Sequence, residues 1–169
     1  MIYYIEGCTC AGKTTNAKKA IKLMEGVKAP LDWILAPEHT PAYIDGEGVL
    51  TRQKRIFDAF MGDFKELLDI PKIFIADYSP RGVIPFNLAL ADYLNDNSLR
   101  IQAESFRREW NIFQKKHNNK LSLWEFLRIS PETVIERLKT RNRANDDKWQ
   151  PDFIKLLCKY YNLEFLGRE

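Results

Sequence analysis

Residues 7–14 of this chain read GCTCAGKT and lie between a predicted strand and a predicted helix. The preceding run at 2–5 is β-branched and aromatic without polar interruption, which is typical of a strand buried on both faces of a sheet. From about 14 to 25, apolar residues recur at helical spacing, and Gly26 can end that helix. The segment fits the pattern G-x-x-x-x-G-K-S/T at every fixed position, in the strand–loop–helix context that the pattern requires. The sequence therefore predicts a loop that binds the phosphates of a nucleoside triphosphate.

Each residue type in this loop has a role in phosphate binding. The glycines allow backbone conformations that turn successive N–H groups toward a phosphate, and the following helix adds its positive end. Lys13 can reach the outer phosphates, and the hydroxyl of Thr14 can coordinate Mg²⁺. The predicted nucleotide-binding residues of the loop are Gly7, Cys8, Thr9, Cys10, Ala11, Gly12, Lys13, Thr14 and Thr15.

Two of the three cysteines, Cys8 and Cys10, fall inside this loop. They could form a redox switch or half of a metal site, but no second Cys/His pair accompanies them, so small residues filling the loop are the simpler interpretation. Cys158 lies on an apolar helical stripe and is predicted to belong to the core. Since no apolar signal segment opens the chain, we expect a reduced, cytoplasmic protein.

The overall charge indicates no particular class of partner. The 169 residues contain 26 Lys and Arg and 23 Asp and Glu, and this net charge of +3 is too small to indicate nucleic-acid or membrane binding. It permits an anionic substrate. No run of about 18 apolar residues occurs, so we expect no membrane-spanning segment.

Strand and helix patterns alternate along the whole chain and predict one α/β domain over residues 1–169. Further strands are predicted at 33–36, 72–76 and 121–127, and further helices at 50–68, 85–94, 99–116, from 131 onward and at 151–161. Such alternation indicates a parallel sheet covered by helices on both faces. Ligands of such sheets bind at the carboxyl ends of the strands.

A phosphate loop alone does not separate a kinase from a GTPase switch or an ATP-driven machine. A GTPase would need an Asn-Lys-x-Asp motif after a strand in order to read guanine. The one Asn-Lys pair here, Asn119-Lys120, is followed by Leu-Ser and precedes a predicted strand. The sequence therefore argues against a GTPase.

Three arginines follow the fourth predicted strand. Helix geometry places Arg137 and Arg141 on the same face one turn apart, with Arg143 just beyond them. Guanidinium groups are planar and always charged, which suits them to the charge that spreads over a phosphoryl group during transfer. A solvated basic helix face is the alternative. Coming after a phosphate loop, the arginines favour a lid over about 137–148 that closes on the nucleotide.

The order of these features resembles that of the deoxynucleoside kinase and thymidylate kinase families. Besides the loop and the lid, the sequence has an acid after the second strand, Glu38, and an Asp-x-Ser at the end of the third, Asp77-Tyr78-Ser79. The resemblance implies a three-layer P-loop kinase fold with a parallel sheet in the order 2-3-1-4, usually with a fifth strand. That strand would here be the short segment 163–166 or be missing.

The resemblance also implies roles for individual residues. Glu38 would accept the proton of an acceptor 5′-hydroxyl, Asp77 would hold a Mg²⁺ water or an acceptor hydroxyl, and Gln53 would read a base edge. An exposed loop carboxylate, a turn-capping aspartate and an exposed helical glutamine are the respective alternatives. The families usually have Arg directly after the strand-end acid, whereas this chain has Tyr78, and Arg81 can substitute for the missing guanidinium.

The predicted function is that of a kinase that uses Mg²⁺ and ATP, or another nucleoside triphosphate, to phosphorylate a small-molecule nucleoside or nucleoside monophosphate. The same chemistry on another alcohol (a nicotinamide riboside-like compound, an antibiotic, or the end or a modified base of a nucleic acid) is the first alternative, and a non-catalytic nucleotide-binding regulatory protein is the second. The resembling kinases often dimerise, so a homodimer is a further expectation. The predicted catalytic residues are Lys13, Glu38, Asp77, Arg81, Arg137 and Arg141; the acceptor-binding residues are Glu38, Gln53, Asp77 and Arg81; Arg141 and Arg143 bind nucleotide; Thr14 and Asp77 hold the metal.

Overall fold

A computed structural model describes residues 1–25, 32–37, 40–42, 44–141 and 149–167 of the chain. Within these residues, four strands form one parallel sheet in the order β2-β3-β1-β4, which confirms the predicted sheet order. The strands are β1 (Ile2–Glu6), β2 (Trp33–Leu35), β3 (Ile73–Ala76) and β4 (Leu121–Phe126). The helices are α1 (Lys13–Met24), α2 (Val49–Asp69), α3 (Val83–Leu94), α4 (Asn97–Lys116), α5 (Pro131–Arg141) and α6 (Pro151–Leu166), and a short 3₁₀ turn, Pro80–Gly82, precedes α3.

Helices cover both faces of the sheet because the strands are apolar on both sides. Successive side chains of a strand point to opposite faces. Ile2 and Tyr4 of β1 accordingly pack into a large core with α2, α3 and α4, whereas Ile5 packs with Ala17 and Ala20 of α1 on the other face. The result is the three-layer arrangement that the alternating pattern predicts.

Aromatic side chains hold the larger of these two cores together. Phe57 of α2 stacks on Phe106 of α4, with ring centroids 4.2 Å apart and an interplanar angle of 6°. Phe64 and Trp110 from the same two helices both lie edge-on or tilted against Tyr4 of β1. These contacts fix α2, which carries part of the ligand cleft described below, to the sheet.

The C-terminal part of the chain decides between the two alternatives for a fifth strand. Residues 163–166 continue α6 and do not form the short strand, so the described residues hold four strands. The reason is helical spacing, because Leu157, Tyr161 and Phe165 recur every fourth residue and lie on one face of the helix. Tyr161 stacks on Phe165, which in turn stacks on Phe126 of β4. Of the helices in the described part of the chain, none combines the length and apolar character needed to cross a membrane.

We predict that Phe57→Ala lowers the free energy of unfolding by about 3–5 kcal/mol, because it leaves a cavity in a fully buried aromatic stack. Urea unfolding followed by circular dichroism measures this loss. Lys54→Ala, on the exposed face of the same helix, removes only a surface ion pair with Asp58 and should change stability by less than about 0.5 kcal/mol. Equal losses in the two variants would contradict the packing account.

Candidate functional site

The phosphate loop joins β1 to α1 at the carboxyl edge of the sheet. Gly12 precedes the helix with φ 96°, a conformation that favours glycine, and Cys10 also has a positive φ of 57°. A side chain at Gly7 would come within 2.8 Å of the carbonyl oxygen of Leu127, so this position also requires glycine. The two fixed glycines of the motif are thus explained by backbone conformation and close packing.

Lys13 begins α1 and folds back over the loop. Its Nζ donates hydrogen bonds to the carbonyl oxygens of Gly7, at 2.7 Å, and Cys8, at 3.1 Å. The ammonium group therefore lies beside the loop backbone, at the positive end of the helix. A polyphosphate seated on the loop would meet this charge directly.

The carboxyl ends of β1 and β3 bring Thr14 and Asp77 together. The Thr14 hydroxyl donates a hydrogen bond to Oδ2 of Asp77, although 63 residues separate them in the sequence. A hydroxyl and a carboxylate beside a phosphate loop are hard oxygen donors of the kind that Mg²⁺ prefers. The two residues that the sequence suggested as metal ligands are thus neighbours, and their chemistry fits that cation.

Three consecutive side chains at the carboxyl end of β3 bind three different parts of the fold. Asp77 accepts from Thr14 of α1, as described. The Tyr78 hydroxyl reaches α2 and the end of β2, and the Ser79 hydroxyl donates to Oε1 of Glu6 at the end of β1. This segment therefore fixes the relative positions of the elements around the cleft.

Glu6 is a buried carboxyl group that the sequence analysis did not single out. The Glu6 side chain is 1% exposed and accepts a hydrogen bond from Ser79. Its Oε2 lies 2.9 Å from the position that a Cβ at residue 82 would take, so Gly82 leaves room for the carboxyl group. Burial raises the pKa of this carboxyl to about 7, against the opposing effects of the Ser79 hydroxyl and the positive charges of Lys13 and Arg81. The sequence signal for this buried group is a charged residue at the boundary between the apolar strand and the phosphate loop.

The α5 helix brings two of the predicted lid arginines to the loop. Arg137 donates from Nη1 to the carbonyl oxygen of Cys10 at 2.9 Å, and Arg141, one turn further along, also lines the cleft. Arg143 and the rest of the predicted lid, 142–148, lie outside the described residues. Two guanidinium groups therefore lie on the phosphate-loop side of the cleft.

The cleft has a volume of about 1020 Å³ and extends from the loop to α2. This is at the upper end of the range for small-molecule sites, which leaves room for a nucleotide and a second ligand. Gln53, a buried side chain of α2, lines the cleft together with Arg52, Ile56 and Phe60 of the same helix. Glu38 and the adjacent His39 lie outside the described residues.

Arg81 lies elsewhere. Its Nε and Nη2 donate to Oε1 and the carbonyl oxygen of Glu164, at 2.9 and 2.7 Å, and its guanidinium lies 4.4 Å from the ring centre of Phe165. Arg107 donates to the same carboxylate at 2.8 Å. Arg81 therefore fastens the end of α6 to the turn after β3, and it does not belong with the described residues that line the cleft.

A pair of buried thiols joins the loop to α6. Sγ of Cys8 lies 3.3 Å from Sγ of Cys158, both side chains are buried, and neither forms a disulfide. The hydrogen bond with Cys158 and burial raise the pKa of the Cys8 thiol. Cys158 is a core residue as predicted, whereas its contact with the loop joins residues 150 positions apart and had no sequence signal.

The strand order and the phosphate loop describe a three-layer parallel α/β fold, and solved structures share this fold. Solved structures of deoxyadenosine kinase from M. mycoides match over 99% of this chain. The structure with bound dATP has a TM-score of 0.69 at 20% identity over 85% of its own chain. The structure with products dCMP and a flexible dCDP has 0.70 at 19%, and the one with bound dCTP has 0.67 at 21%, each over 84% of its chain. No protein-family model and no curated protein sequence matches this chain.

We predict that Glu6→Gln flattens the pH dependence of stability. A carboxyl whose pKa rises from 4.5 in the unfolded chain to about 7 in the folded one binds more protons when folded, so the wild-type protein loses stability as pH rises through this window. Between pH 5 and pH 8 the loss amounts to about 2–3 kcal/mol, which the glutamine cannot show. Urea unfolding of both proteins at the two pH values measures the difference. Parallel pH profiles would show that Glu6 does not titrate in this range.

Proposed function

We propose that the protein is a kinase that transfers the γ-phosphoryl group of ATP, or another nucleoside triphosphate, to a hydroxyl or phosphate of a nucleoside or nucleoside monophosphate. One observation carries the proposal: the phosphate loop, the Thr14–Asp77 pair and the α5 arginines face one cleft that continues to Gln53. The deoxyadenosine kinase structures of the same fold hold dATP, dCTP, and dCMP with dCDP. These ligands support a nucleotide donor and a nucleoside acceptor for this chain.

The nucleotide side of the cleft acts mainly through charge. Backbone N–H groups of the loop and the amino end of α1 bind the phosphates, and Lys13 exchanges its carbonyl partners for their outer oxygens. Thr14 and Asp77 would hold Mg²⁺, which when bound neutralises part of the polyphosphate charge. Arg137 and Arg141 add two further positive charges beside the loop. Such fixed charges lower the barrier because they favour the charge distribution of the transition state.

The acceptor side acts mainly through position. In this proposal Glu38 orients or deprotonates the acceptor hydroxyl, and Gln53 hydrogen-bonds a base edge from α2. Arg81 has no part in the reaction, because its guanidinium is bound to Glu164 and lies over Phe165. On this side of the cleft, we expect holding the two reactants in line to contribute more to the rate enhancement than proton transfer does.

We predict transfer of labelled phosphate from ATP to at least one member of a panel of ribonucleosides, deoxynucleosides and their monophosphates. In Lys13→Ala the loss of the loop cation should lower turnover by at least about 10²–10³-fold. Circular dichroism and the unfolding transition of this variant should stay close to the wild type, because within the described residues the Lys13 side chain donates its hydrogen bonds to loop carbonyls. Transfer to no panel member would refute the proposed function. Transfer only to a nucleic acid, or to a sugar or antibiotic hydroxyl, would keep the chemistry and change the acceptor.

We predict that Glu38→Gln lowers kcat much more than it weakens ATP binding, because the amide cannot accept the acceptor proton. A general base contributes typically about 10²–10⁴-fold. Steady-state kinetics with the best panel acceptor and calorimetric ATP titration measure the two effects separately. Asp45→Asn, in the same loop region, serves as a control for charge removal and should retain turnover. Normal turnover of Glu38→Gln would show that another group handles the proton.

A further inference from the structure

Tyr78 follows the strand-end acid Asp77, at the position where the resembling kinase families usually have arginine. Its side chain makes two buried contacts. The Tyr78 hydroxyl lies 2.6 Å from the carbonyl oxygen of Pro37 and 2.9 Å from Oδ2 of Asp63. Tyr78 is 6% exposed and Asp63 is 8% exposed. A buried phenol placed between a carbonyl and a carboxylate can share its one proton between two acceptors, and its loss would leave both acceptors without that donor.

Packing fixes the position of this hydroxyl. The Tyr78 ring lies 4.7 Å from the ring of Phe60 and 5.8 Å from that of Phe64, measured between centroids, and both phenylalanines belong to α2. Tyr78 and Phe60 also line the cleft, on the side of Gln53. The hydroxyl is therefore held where α2, the end of β3 and the acceptor side of the cleft meet.

The segment that this hydroxyl holds is the end of an edge strand. β2 comprises three residues and, within the described residues, pairs with β3 alone, so it lies at an edge of the sheet. Beyond its last residue, Ala36 N donates to the carbonyl oxygen of Ile75 at 2.9 Å, and the next support along the chain is the bond from Tyr78 to Pro37. In the sequence, Pro37 is followed by Glu38, the acid of the proposed function.

We propose that Tyr78 is a positioning residue for phosphoryl transfer: its hydroxyl, held by Asp63, fixes the carboxyl end of β2 against α2 and beside Asp77. The inference rests on the proposed function and deepens it. Tyr78 neither carries charge to the phosphates nor replaces the guanidinium of the resembling families. It sets the distance between the acceptor side and the phosphate side of the cleft, and displacements of about 1 Å can cost about 10²-fold in rate.

The test is Tyr78→Phe, which keeps the ring and removes only the hydroxyl. We expect kcat for transfer to the best panel acceptor to fall about 10–100-fold, while the Kd of ATP and the slow hydrolysis of ATP without acceptor change less than about twofold. A purely structural loss would lower acceptor-dependent transfer and acceptor-independent hydrolysis together. Tyr160→Phe is the matched control, because it removes a phenol that donates to Asp92 at 2.5 Å outside the cleft, and it should keep wild-type kinetics.

Each outcome decides the matter. Wild-type kcat in Tyr78→Phe, or equal losses of transfer and hydrolysis, would overturn the positioning role. If Tyr78→Phe does not fold, Asp63→Ala removes the carboxylate acceptor of the same contact, with an expected fall in kcat of several-fold at unchanged ATP affinity. Unchanged kcat in that variant would overturn the role as well. Absence of transfer by the wild-type protein would refute the proposed function, and this inference would fall with it.

Discussion

The hydrogen bond from Ser79 to the buried carboxyl of Glu6 joins the carboxyl ends of the two central strands at the edge where the cleft opens. The next bond along this edge, from Thr14 to Asp77, ties the same segment to α1, so the two bonds together hold the end of β3 beside the phosphate loop. Burying a carboxyl is costly, which the rise in the pKa of Glu6 to about 7 reflects, and its hydroxyl partner offsets part of that cost. The geometry of the proposed site therefore depends on a polar contact beneath it.

The sequence allowed the phosphate loop to be predicted because this loop rests on local chemistry. The motif requires Gly12, with its positive φ, and Lys13, which folds over the loop, at a fixed spacing. The sheet order followed from the resemblance, and the alternating strands and helices supplied the parallel sheet. These features needed no knowledge of contacts between distant residues.

Other features could not be predicted because they are pairings over long sequence separations. Nothing near Arg81 in the sequence indicates that its guanidinium binds Glu164, which α6 brings to it only because residues 163–166 continue the helix. The contact between Cys8 and Cys158 likewise joins the loop to that helix. Strand propensity alone does not settle the structure of residues 163–166, because packing of Phe165 against Phe126 stabilises the helix.

The central claim is that one cleft holds a nucleotide and an acceptor in line across the β3 end. Calorimetric titration with an adenosine and a deoxynucleoside joined by a polyphosphate chain tests this most directly, since both halves can bind only if the two subsites lie within reach of each other. The account predicts that this compound binds at least about tenfold more tightly than ATP, and that Gln53→Ala reduces the advantage while leaving ATP affinity unchanged. Affinity equal to that of ATP would contradict an acceptor subsite beside the phosphate loop.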